Sequence, residues 1–139
     1  MNKFKKTALL FTLVLCSCTD YIEIVEAKKT KHISGLPTGK NYIDYKIKIT
    51  SKVDFSFKNL MIGDKKVSEN LYIKDLSTGS SSTKIKTNLK KGVYEFGFRT
   101  FNLSSFNIEE TIKLSYQIKE KDFMLEKKVF KEEKVNTNR

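Results

Sequence analysis

Cysteine is missing from everything after residue 18, histidine occurs once, proline once and tryptophan not at all. Each absence removes a class of explanation. Cys16 and Cys18 have no later partner, so a disulfide framework and a cysteine metal site are both excluded. His32 stands alone in the run Lys28-Lys29-Thr30-Lys31-His32, which rules out a three-histidine site and a catalytic triad and leaves a surface residue. Arginine, the usual reader of phosphate and base edges, appears only as Arg99 and Arg139. The chain carries a formal charge of +11, but its lysines are spread along every segment, so nucleic acid is not an expected partner. No apolar run is long enough to cross a membrane. The longest, Thr7–Leu15, would span about 14 Å as a helix, roughly half of a bilayer's hydrocarbon core.

That short run does have a recognisable setting. Lys3, Lys5 and Lys6 precede it, and Leu15-Cys16-Ser17-Cys18 closes it, the order of a secretory signal. The ending resembles the lipobox of bacterial lipoproteins, with Leu15 three places before Cys18 and the small Ser17 adjacent. Cys16 fits less well, because Leu15 would then occupy the small-residue place. The resemblance implies that residues 1–17 are removed as a signal peptide, that Cys18 carries lipid, and that residues 18–20 form the tether. Loss of three lysines and no acid lowers the charge from +11 to +8. It also implies at least two acyl chains, and two hold a protein firmly where one binds marginally. Thr19, not Asp, follows Cys18. The resemblance therefore implies the outer membrane in a two-membrane host, and otherwise the outer face of the plasma membrane.

What remains is patterned in twos. In Asn41–Ser51, Ile43, Tyr45, Ile47 and Ile49 alternate with Asp44, Lys46 and Lys48, the mark of a strand with one wet face. Further strands are expected near Tyr21–Thr30, Val53–Phe57 running into Leu60–Ile62, Leu71–Leu76, Thr83–Leu89, Val93–Phe101, Thr111–Lys119 and Phe123–Phe130. Turn residues separate them. Lys119–Lys134 is rich in helix formers, but its apolar residues scatter around a helical wheel, so a strand hairpin with Thr111–Lys119 is expected. The expected fold is a single antiparallel immunoglobulin-like β-sandwich of about seven to eight strands over residues 21–131, with 132–139 a flexible polar tail.

Leu89-Lys90-Lys91-Gly92-Val93-Tyr94 resembles the L-x-x-G-x-Y entry to the penultimate strand of immunoglobulin-like and fibronectin-type domains. The resemblance implies a corner in which Leu89 closes the core, Gly92 turns the chain and the Tyr94 hydroxyl bonds nearby backbone. No Cys…Trp…Cys set is present, so the domain is not of the antibody type.

Catalytic constellations do not assemble. Gly35–Lys40 is one residue short of a phosphate loop and precedes a strand, so it is a turn. Glu109-Glu110 and Glu132-Glu133 read as solvated charge, and Asp54, Asp64 and Asp75 lack the spacing of a calcium loop. Asn102-Leu103-Ser104 matches a glycosylation sequon, an accidental match given the bacterial origin that the lipobox resemblance implies. No cofactor or metal is implied, and an enzyme is not expected. The sequence points instead to a membrane-anchored exported module that binds an unknown protein or envelope glycan. The alternative is an inhibitor or immunity protein acting on a toxin or hydrolase at the envelope. Phe101, Leu103 and Phe106, in the loop after the Tyr94 strand, are candidate partner-binding residues, with packing of the segment over the sandwich's open end the alternative reading. Lys28, Lys29 and Lys31 are candidate contacts to an anionic membrane surface beside the anchor, with plain solubilising charge the alternative reading for the lysines.

Overall fold

Alternation along Tyr42–Ser51 becomes burial: Ile43, Ile47 and Ile49 are fully enclosed and Tyr45 nearly so, while Lys46 and Lys48 face water. A computed structural model describes residues 20–85 and 87–136. Its strands are β1 (Ile22–Ser34), β2 (Tyr42–Ser51), β3 (Phe55–Ile62), β4 (Lys65–Lys66), β5 (Tyr72–Asp75), β6 (Ser81–Ser82), β7 (Asn88–Leu89), β8 (Gly92–Thr100), β9 (Thr111–Ile118), β10 (Lys121–Lys128) and β11 (Phe130–Asn136). One sheet runs β11-β1-β2-β8-β5-β6 and the other β10-β9-β3-β4, with β7 also on β3. The protein is an all-β, immunoglobulin-like sandwich. Strands β1-β2-β8-β5 stand in the A-B-E-D order of such domains, and β10-β9-β3-β4 in the order G-F-C-C′.

Aromatic rings fill the space between the sheets. Phe96 meets Phe57 at 5.0 Å, Tyr45 stacks on Phe98 at 4.5 Å, and Phe55 is edge-on to Tyr94 and Tyr116. Each such pair contributes about 0.5–1.5 kcal/mol beyond its area. The outer face of the first sheet is laced by charge instead, Glu26, Lys48, Glu95 and Lys74 standing opposite one another across four strands.

Three expectations change. Among the described residues of Thr83–Leu89 only Asn88–Leu89 is strand, and Ile85, which the alternation would bury, is exposed. The described part of the polar tail, residues 132–136, is not free: β11 pairs in parallel with the second half of β1, from Lys28↔Phe130 to Ser34↔Asn136. Neither of its faces enters the main core, so hydrophobic period could not announce it. The pairing is held by the ladder and by Glu132, which meets Lys28 at 3.9 Å and accepts from the Thr30 hydroxyl at 3.3 Å. The chain crosses between sheets at Val129, whose N–H donates to Glu110 O, and Lys127 Nζ donates to Ile24 O across the seam. Finally, Tyr94 lies in β8, with β9, β10 and β11 still to come, so its strand is the E-type strand and not the penultimate one.

The corner itself forms. Leu89 is buried, and the Tyr94 hydroxyl donates to Lys90 O at 2.7 Å. Gly92 has φ +154, a region L side chains rarely adopt, and Asp54 accepts from the Lys91 N–H at 2.9 Å. That N–H, helped by the Lys90 ammonium and opposed by slight desolvation, holds the Asp54 carboxyl below its ordinary range.

Strand direction orders the two ends. Tyr21, the β2–β3 turn, the corner and the Lys119-Glu120 turn share one end. Ser34–Asn41, the β3–β4 turn and the β8–β9 connection share the other, which we call the distal end.

Candidate functional site

The distal end is built around a lysine that alternation alone places wrongly. Ile22 and Ile24 face the core, and a β-bulge at Val25 then shifts the register by one, so Ala27 and Lys29 point inward while Lys28 points out. Lys29 is 0% exposed. Its ammonium donates to Ser105 O at 2.6 Å, to Ile108 O at 2.7 Å and to Glu110 Oε1. Such a charge is tolerable inside only because all three donors are used and a carboxylate lies against it. Lys29 therefore cannot touch a membrane.

Lys28 is engaged with Glu26 and Glu132, and Lys31 lies over the Phe106 ring at 5.4 Å. At about 3.3 Å per residue, Lys31 stands roughly 30 Å along β1 from Ile22, on the far side of the sandwich from residue 20. The reading of Lys29 as a membrane contact is thus corrected, while Lys28 and Lys31 remain part-exposed at the surface. Among the described residues, lysines at the end where β1 begins include Lys52, Lys90, Lys91, Lys119 and Lys121, in or beside turns.

Glu110 is the second residue the sequence misplaced. Read as solvated, its side chain is only 13% exposed. Oε1 receives both the Lys29 ammonium and the Tyr45 hydroxyl, the latter at 2.8 Å. Burial, helped by the Glu110 carboxylate, pushes the Tyr45 phenol well above its ordinary range, so it stays a donor at any physiological pH. The one available signal was Ala27, the only small apolar residue in a charged run, which fixes the parity that brings Lys29 inside.

Between β8 and β9 the chain makes a 3₁₀ turn, Leu103–Asn107, capped by Asn102, whose side chain accepts from the Ser104 N–H at 3.2 Å and its hydroxyl at 2.6 Å. Leu103 and Phe106 pack against the core and lid the open end of the sandwich. Of the three candidate partner residues only Phe101 projects, at 60% exposure, and Ile108 and Leu36 are also exposed at the same end. On the outer sheet face next to Phe101, Arg99 lies over the Tyr42 ring at 3.8 Å and holds Asp44 through Nε and Nη2, while His32 stacks on Tyr42 at 4.7 Å. Asp44 raises the Arg99 pKa further.

A cleft of about 1130 Å³ opens between this connection and the Gly63–Asn70 segment, with Tyr45, Phe98, Ser105 and Glu110 among its lining residues. It exists because β5 stops short: Asn70 has φ +57 and turns the chain away, so β5 pairs with β8 only up to Tyr72↔Gly97. Among the described residues no group of three His, Cys, Asp or Glu is arranged to hold a metal, and no helix is long and apolar enough to cross a membrane. The cleft offers acceptors, donors and apolar walls, the chemistry of recognition. Cys18 lies outside the described residues. Compared with known proteins, the chain matches no family model, no curated protein and no solved structure.

Proposed function

We propose that this chain is an exported lipoprotein, tethered through lipid on Cys18, whose sandwich binds a protein or envelope component with its distal end and catalyses no reaction. The observation that carries the reading is the separation of ends. The chain enters β1 at Ile22, four residues after Cys18, while Phe101, Ile108, Leu36 and the cleft lie where β1 finishes. A tether at one end leaves exposed apolar side chains at the other free to meet a partner. By the same lipobox resemblance, the anchor lies in the outer membrane of a two-membrane host, or on the outer face of the plasma membrane where there is only one.

Two experiments test the proposal. Metabolic labelling with a fatty-acid probe should lose signal in Cys18→Ala and retain it in Cys16→Ala; the opposite pattern removes the anchor. A photo-cross-linking residue at Phe101 in the native host should capture a discrete partner that the same residue at Lys119 does not. Equal capture from both positions, or none from Phe101, removes the binding end.

A further inference from the structure

The outer face of the second sheet is unlike that of the first. Buried Phe55, Phe57, Leu60, Ile112, Leu114 and Tyr116 fix which side of β3 and β9 looks inward, so their alternates look out. The register sets those alternates in rows across the sheet. Nearest the distal end stand Glu126, Lys113, Met61 and Lys66; next come Met124, Ser115 and Asn59; last come Asp122, Gln117, Ser56 and Asn88. The middle row carries no charge, and Met124 in it is 56% exposed. Asn59 Oδ1 is shut from water without a hydrogen-bond partner among the described residues, a cost that a docking donor can remove.

These rows complement themselves when each lies over the same row of a second copy. A two-fold axis running along the strands, between β9 and β3, would set β10 over β4 and β7 of the other copy, and β9 over β3. Glu126 would meet Lys66, the Lys113 stem would cover Met61, and the Ser115 hydroxyl would face the Asn59 amide. Asp122, one oxygen already held by Gln117 Nε2 at 2.6 Å, would meet Asn88, whose carbonyl is taken by Ser56 at 2.7 Å and whose NH2 remains to donate. Met124 would fall where β4 and β7 leave a gap beside β3. Lys58, exposed at the β3 bulge, would have Asp122 of the other copy beside it. The two Lys113 side chains flank the axis, each beside its own Glu126 and 3.9 Å from its own Asp64. An axis across the strands would instead lay Glu126 on Asp122.

Strand direction makes the same choice. An axis along the strands leaves β1 pointing the same way in both copies, so both chains enter from one end. Antiparallel joining through the edge of β11, which is parallel to β1, would send the second entry to the opposite end. Four strands by three rows give roughly 400 Å² per copy, half of a standard interface. That is too little to hold a dimer in dilute solution, and enough where lipid confines both copies to one surface.

We infer that two copies of this chain pair face to face on the membrane through the outer surface of β10-β9-β3, leaving both distal ends free. The inference rests on the tethered reading above and adds a second copy to it.

The test uses full-length lipidated protein in liposomes. No cysteine follows residue 18, so an introduced thiol is the only one in the domain. Differently tagged Ser115→Cys and Asn59→Cys chains are mixed and treated with a short bismaleimide, because stacked sheets stand about 10 Å apart. They should cross-link to each other, whereas Lys48→Cys with Glu95→Cys, on the outer face of the first sheet, should not. In the cross-linking pair, Glu126→Lys should cut the yield at least ten-fold by setting like charges together, and Lys66→Glu should do the same. The two changes combined should restore it. Glu126 and Lys66 stand three strand spacings apart in one chain, about 14 Å, so restoration requires a second copy.

A Ser115–Asn59 cross-link no stronger than the first-sheet control overturns the inference. So do an undiminished yield in Glu126→Lys and a lasting loss in the combined variant. Capture of a different polypeptide by Ser115→Cys in native-host membranes, in place of the Asn59→Cys chain, assigns the face to another partner and overturns it too. Protein that takes up fatty acid but does not cross-link removes the pairing and keeps the tether. Protein that cross-links without taking up fatty acid keeps the pairing and removes the tether, so the two failures are distinguishable.

Discussion

Lys29 and Glu110 lie 81 residues apart in the chain and meet inside the protein, tying the β8–β9 connection to the first sheet. With Lys29 fully buried and Glu110 nearly so, removing one partner leaves an uncompensated charge. Lys29→Ala is expected to destabilise by about 3–5 kcal/mol in urea melts. Lys29→Met combined with Glu110→Leu removes both charges at similar volume and should recover most of that loss. A single substitution without measurable effect would show that the pair is wet.

The corner gives a smaller and more local effect. Tyr94→Phe deletes the bond to Lys90 O and should cost about 1 kcal/mol while leaving the fold intact. Gly92→Val should cost more, since a β-branched residue is strained at φ +154. Equilibrium melts finding both neutral would remove the corner's structural role.

On the outer face, Tyr72 lies flat over Gly97, where any Cβ would overlap its ring, and its hydroxyl donates to Glu95 at 3.1 Å. Burial, then the Glu95 carboxylate, pushes the Tyr72 phenol up to about 12. Between pH 10 and 12 the unfolded chain gives up this proton before the folded one does, so stability present below pH 10 is lost across that interval. Gly97→Ala should swing the ring into water, return its titration toward 10 and flatten that loss, as followed by tyrosinate absorbance. An unchanged titration would contradict the placement of the ring.

The β9–β10 turn places two non-glycine residues in left-handed conformation, Lys119 at φ 48 and Glu120 at φ 67. Asn-Gly is the favoured pair for this geometry. Lys119→Asn with Glu120→Gly should stabilise by about 1 kcal/mol, read as a raised midpoint in thermal melts. A lowered midpoint would mean that the turn is not of this type.

The strands that bury one face were legible because alternation is a direct record of burial: Ile43, Tyr45, Ile47 and Ile49, or Tyr94, Phe96 and Phe98, leave little choice of face. The corner was legible because glycine and tyrosine are needed there for separate reasons. Strand β11 was not, since Lys131, Glu132, Glu133 and Lys134 carry no apolar period and are placed by the edge they join. The distal cluster was hidden for a different reason. A single-residue bulge reverses which lysine points inward, and a glutamate 81 residues away in the chain looks like any surface acid until its partner is located. The sequence left the Phe101–Ile108 loop open between an interface and a lid over the sandwich's end, and the structure divides it: Leu103 and Phe106 pack against the core through a 3₁₀ turn marked only by Asn102, while Phe101 is exposed.

The central claim is that anchor and binding end are opposite, and depth above a membrane measures it most directly. Lipidated full-length protein in nanodiscs with paramagnetic headgroups should show broadened amide signals for the Lys90-Lys91 and Lys119-Glu120 turns. Leu36, Phe101 and Ile108, at the other end of β1, should remain sharp. Broadening strongest at Leu36 and Phe101, or equal at both ends, would contradict the account.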